Sequence, residues 1–121
     1  MEYADRLEQS ELTEAIMLAE GYLMQGQTYV ALELLSRRAE DVEEYIDRNC
    51  PTTDELQWFS FSSPFDRLAY QVVERDPRTL RDVGEPLDRL YADLALARMA
   101  EGDGHRAIEA LKQAGRWNPM A

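Results

Sequence analysis

Gly102-Asp103-Gly104-His105-Arg106-Ala107 has the G-x-G-x-x-A spacing with which a strand-to-helix turn cradles a dinucleotide pyrophosphate. That chemistry needs a strand just before the first glycine. Leu87, Leu90, Tyr91, Leu94 and Ala95 instead give the preceding residues a helical apolar pattern, so the motif reads as a turn between helices. His105 is the only histidine and Cys50 the only cysteine. Neither has a partner at metal-ligand spacing, and neither sits in a nucleophile signature, so a zinc site and a thiol nucleophile are both disfavoured. Carboxylates are many, but paired acid–base work needs a cleft that drives two pKa values apart, and no residue pattern here marks one. The expectation is therefore no catalytic residue, no bound metal, no cofactor and no enzyme.

Composition narrows the class further. The chain has 121 residues, one domain's worth, with 45% hydrophobic and 31% charged residues, an ordinary globular balance. Its net charge of −11 argues against a nucleic-acid surface, which needs clustered Lys and Arg. The acid is unevenly placed: residues 1–60 hold 14 acids and 4 bases, residues 61–121 hold 10 and 9. A lone cysteine excludes an intrachain disulfide and suits a reducing compartment. The N-terminus lacks a secretory pattern, and no run approaches the roughly 18 apolar residues of a membrane span. The reading is a cytoplasmic protein with no membrane and no nucleic-acid partner.

The elements that would position any site are clearest near the end of the chain. Leu87, Leu90, Tyr91, Leu94 and Ala95 recur at three and four residues, one face of a helix. Gly102 suits the left-handed end of that helix, and Asp103 is placed to cap the next. In the second helix Ala107, Ile108, Leu111 and Ala114 form the expected buried stripe, with Leu94 and Leu111 as core residues, and Pro119 ends the pattern. Tyr91, Leu94, Ala95, Gly102, Ala107, Leu111, Ala114 and Pro119 together resemble the tetratricopeptide repeat, with Arg98 standing where that family usually has an aromatic residue.

Earlier in the chain, Ser10 is placed to cap a helix whose first turn holds Glu11 and Glu14 and whose stripe is Leu12, Ala15, Ile16, Ala19, Tyr22 and Leu23. Residues 1–9 read as a polar lead-in or an extra helical turn. Gly26 separates this helix from a second, from near Thr28 to about Arg48, with Ala31, Leu34, Leu35, Val42, Tyr45 and Ile46 on one face. This pair resembles the repeat at Leu18, Ala19, Tyr22, Gly26, Ala31 and Leu35, and departs from it at Arg38 and in lacking a terminal proline. Pro51 breaks the helix, and Thr53 or Asp54 restarts one, with Gln57 completing a capping box. The alternative for Trp58 to Ser62 is a short extended segment. Ser63-Pro64-Phe65-Asp66 starts another helix with Phe65, Leu68, Ala69, Val72 and Val73 as its buried stripe. Residues 76–86 read as a loop with one helical turn around Arg78 to Asp82.

Ala31 and Ala107 lie 76 residues apart, two periods of about 34 plus 8. The predicted fold is therefore all-α: a TPR-like αα superhelix of about three antiparallel pairs, six helices, with 47–86 as the irregular middle pair. The resemblance implies a protein-interaction module or scaffold, whose first helix in each pair lines a surface for a partner's peptide or helix. Carried over by position, the partner-binding candidates are Thr13, Ile16, Glu20, Leu23 and Met24, with Arg89, Ala92, Asp93, Leu96, Met99 and Ala100. The family's carboxylate-clamp cations are not convincingly present. The alternative function is a structural or oligomerising piece of a longer repeat protein. Glu40, Asp41, Glu43, Glu44 and Asp47 read as a solvated face or as a dock for a basic partner. Because only Met120 and Ala121 follow Pro119, the last helix is expected to lack a covering helix. The chain is then expected to self-associate through that C-terminal helix near Trp117.

Overall fold

The computed structural model describes residues 10–61 and 63–120, so the expectation for residues 1–9 lies outside the described residues. Among the described residues five helices and two short strands follow in the order α1 (Glu11–Met24), α2 (Thr28–Asn49), β1 (Leu56–Phe59), α3 (Pro64–Glu74), β2 (Thr79–Asp82), α4 (Leu87–Ala100) and α5 (Gly104–Trp117). The chain is thus mostly helical, and no helix among the described residues is long and apolar enough to cross a membrane.

Two helix hairpins form the main core, each with local causes. Ser10 Oγ accepts from the Thr13 N–H at 3.0 Å and starts α1. Gly26, at φ 78°, turns the chain into α2. In the second hairpin Gly102 sits at φ 85°, and the Asp103 carboxylate accepts from the Arg106 N–H at 3.1 Å. The G-x-G-x-x-A segment is therefore a helix–helix turn. α4 packs between α2 and α5. The core runs through Leu12, Ile16 and Ala19 of α1, Ala31, Leu35 and Ala39 of α2, and Leu87, Leu90, Tyr91, Leu94, Ala95 and Ala97 of α4. Tyr91 fastens α4 to α2 by donating its hydroxyl to Glu43 Oε1 at 3.0 Å.

On α5 the packed stripe is Ala107, Ala110 and Trp117, with Ala114 partly buried. Ile108 is 56% and Leu111 50% exposed, so the stripe expected through these two is displaced by about one helical position, and Leu111 is not core. The small alanines let α5 lie close against Ala95 and Ala97 of α4, and dense packing outweighs side-chain hydrophobicity in choosing the face.

The middle section is corrected most. In place of an irregular helix pair it holds one helix between two parallel strands, with Leu56 paired to Thr79 and Phe59 to Asp82. No helix restarts at Thr53 or Asp54. Gln57 is a strand residue, and its side chain accepts from Thr52 Oγ1 at 2.7 Å. The extended alternative for the aromatic run holds over Leu56–Phe59, and the turn expected around Arg78 to Asp82 is strand β2. Ser63 caps α3 as expected, accepting from the Asp66 N–H at 3.2 Å. The expected buried stripe of α3 is not buried: Phe65, Leu68, Val72 and Val73 are 61–76% exposed.

A second small core of Phe59, Tyr70 and Leu80, with Phe61 and Met120 against it, holds this unit together. Asp76 anchors the crossover: it accepts from the Tyr70 hydroxyl at 2.7 Å and from the Arg78 backbone N–H at 3.0 Å and guanidinium at 2.5 Å, which keeps its carboxyl well below the usual range.

The same unit closes the C-terminal end. Ser60 N–H donates to the Trp117 carbonyl at 2.7 Å, and Arg116 donates to the Trp58 carbonyl at 2.8 Å. Arg116 lies 4.2 Å from the Trp117 ring centre, and Asn118 is fully buried, donating to Asp88 Oδ2 at 3.1 Å. Trp117 is only 6% exposed, covered by its own chain, so it offers no free contact surface.

Candidate functional site

The residues carried over from the repeat pattern fall on α1 and α4, and the structure sets these two helices side by side. Two cross-links show it: Glu20 of α1 takes the guanidinium of Arg89 of α4, with Nε donating at 2.8 Å and Nη2 to the second oxygen. Thr28, which opens α2 after the turn that follows α1, donates to Glu101, just beyond α4, at 3.1 Å. Both helices therefore run in the same direction and contribute to one face.

Around Glu20 the arrangement is electrostatically specific. Arg89 and Asp93 stand one helical turn apart on α4, and both reach Glu20. The Arg89 hydrogen bonds hold the Glu20 carboxyl below its ordinary value. Burial, reinforced by the Glu20 carboxylate beside it, pushes Asp93 up to about 7. Asp93 Oδ2 is buried without a hydrogen-bond partner among the described residues. Glu20, Arg89 and Asp93 thus form a charged clasp between α1 and α4.

The other candidates divide by burial. Ile16 is fully buried and Leu23 packs against the core, so both serve packing. Thr13 is half-buried and its hydroxyl lies 2.9 Å from that of Ser10. Met24 (89% exposed), Leu96 (55%) and Met99 (60%) stand outward, as do Ala92 and Ala100. An apolar exposed strip thus flanks the Glu20–Arg89–Asp93 clasp. The spacing of Arg89 and Asp93 marks a shared face on α4, but their meeting with Glu20 depends on how two helices pack.

The acidic segment of α2 borders a groove of about 510 Å³ between α2, α4 and α5, lined by Glu40, Glu43, Tyr91, Arg98 and Gln113 among others. Glu43 accepts from Tyr91 and Glu44 pairs with Arg48 at 2.6 Å, while Glu40, Asp41 and Asp47 stand exposed. Cys50 is buried and burial pushes its thiol up, the environment of an inert cysteine. His105 is exposed beside Glu109, and no group of three metal-binding side chains occurs among the described residues. No family model, curated protein or solved structure matches the chain.

Proposed function

We propose that this chain is a TPR-like protein-interaction module that receives a peptide or helix of a partner protein on the joint face of α1 and α4. The observation that carries the reading is the strip of Met24, Ala92, Leu96, Met99 and Ala100 left exposed beside the clasp. Exposed methionine and leucine flanked by fixed charges suit an amphipathic segment, the apolar side chains supplying contact area and the charges orientation. The two hairpins with left-handed glycine turns support the repeat-like reading. Arg98 takes up a structural task in place of the family's aromatic, donating to the Arg106 carbonyl at 3.1 Å. The exposed Glu40, Asp41 and Asp47 of α2 favour a basic partner.

The test is affinity capture from the source cell with the chain and its Leu96→Asp/Met99→Asp variant as parallel baits. A protein recovered by the first and lost by the second, with capture weakening at high salt, supports the reading. Equal recovery by both baits refutes it.

A further inference from the structure

Helix α3 is amphipathic, yet it is docked by the wrong side for burying its apolar residues. Phe65, Leu68 and Val72 follow at three and four residues, with Val73 beside them, and are 76%, 61%, 73% and 67% exposed. What faces the molecule is Tyr70, set against Phe59 at 4.9 Å between ring centres, and Arg67, donating to the Leu80 carbonyl at 2.7 Å. Rotating α3 to bury the stripe would break both contacts and the Tyr70–Asp76 hydrogen bond. Within the described residues the stripe is therefore held outward by the chain's own packing.

Charge selects what covers it. Copies of a chain with net charge −11 repel one another over most of their surface. On α3 and its C-cap, however, Asp66 and Glu74 are balanced by Arg67 and Arg75, and Asp66 is the one acid of α3 that borders the stripe, beside the uncharged Pro64 and Gln71. The exposed Met17, Leu18, Tyr29 and Val30 lie instead in the acidic first half. A basic partner would find a single acid, Asp66, on the rim of α3. A single helical stripe is also self-complementary about a two-fold axis: antiparallel copies bring Leu68 to Leu68 at the centre and Phe65 of each against Val72 of the other.

We propose that α3 is a homodimerisation surface, occupied by α3 of a second copy. This surface is separate from the α1–α4 face and stands or falls without it. Stable dimers bury about 800 Å² per partner, whereas one apolar patch of this kind offers roughly 300–600 Å². The association is therefore weak and reversible, in the micromolar range, and strengthens with salt as the repulsion between acidic chains is screened.

Sedimentation equilibrium of the full chain from roughly 5 to 200 µM, at low and high salt, tests it. A monomer–dimer equilibrium is expected, weakened about tenfold or more by Val72→Asp, with unchanged helical circular dichroism because the site is exposed. A Leu68→Cys variant should form a disulfide-linked dimer on mild oxidation while the wild type, with Cys50 buried, does not. That crosslink decides the matter should Val72→Asp lose helix. A monomer throughout the range, a dimer indifferent to Val72→Asp in a folded variant, or no crosslink at Leu68 overturns the proposal.

Discussion

Replacing Asp93 by Asn should make the protein more stable above neutral pH and remove much of its pH dependence there. The carboxyl of Asp93 titrates at about 7 in the fold against 3.8 as a free side chain. Between those values the folded state binds the proton that the unfolded state has released. Stability from this group is therefore fully present below about pH 4 and is lost as pH rises through about 7. Glu20 works in the opposite sense, but its window lies below its ordinary 4.5, since its carboxyl is lowered. A shift near three units would correspond to roughly 4 kcal/mol. Partial exposure of Asp93 and its coupling to Glu20 and Arg89 reduce this to about 1–2 kcal/mol. Asn cannot ionise, keeps the shape and can donate to Glu20. The assay is thermal unfolding by circular dichroism of wild type and Asp93→Asn between about pH 5 and 8. The wild type should lose about 1–2 kcal/mol relative to the variant across that range, a few degrees in Tm. Parallel pH profiles for the two proteins would refute the raised carboxyl of Asp93.

Leu94 and Leu111 give a second test, since one is 1% and the other 50% exposed: Leu94→Ala should cost about 2–5 kcal/mol in urea unfolding and Leu111→Ala under about 1. Equal losses would restore the face first expected for α5. Trp117→Ala should cost about 3–5 kcal/mol, because the ring is buried under β1 and Arg116. A neutral result in the same assay would mean that the C-terminal end is not packed as described.

What the sequence determined by itself is whatever depends on neighbours along the chain. Ser10, Ser63 and Asp103 could be assigned as caps because each cap bonds a backbone N–H three residues on. Gly26 and Gly102 could be placed in turns because only glycine adopts positive φ freely. The stripe of α1 was legible because Leu12, Ala15, Ile16 and Ala19 recur at three and four residues behind the Ser10 cap, although Met17 and Leu18 are apolar and exposed off that face. Tertiary structure decided wherever two faces competed or a long-range partner was needed. On α5 the periodicity admits both Ile108–Leu111 and Ala110–Trp117, and the choice rests on how closely α4 approaches. Strand β1 needs β2, some twenty residues away, to satisfy its backbone, so Leu56–Phe59 could not be told from a helix start by local pattern. The outward stripe of α3 follows from Tyr70 and Arg67 docking on that two-stranded unit, which outweighs the stripe's own tendency to be buried. The raised carboxyl of Asp93 requires burial and a second carboxylate from another helix. Both are properties of distance in space, which spacing along the chain does not encode.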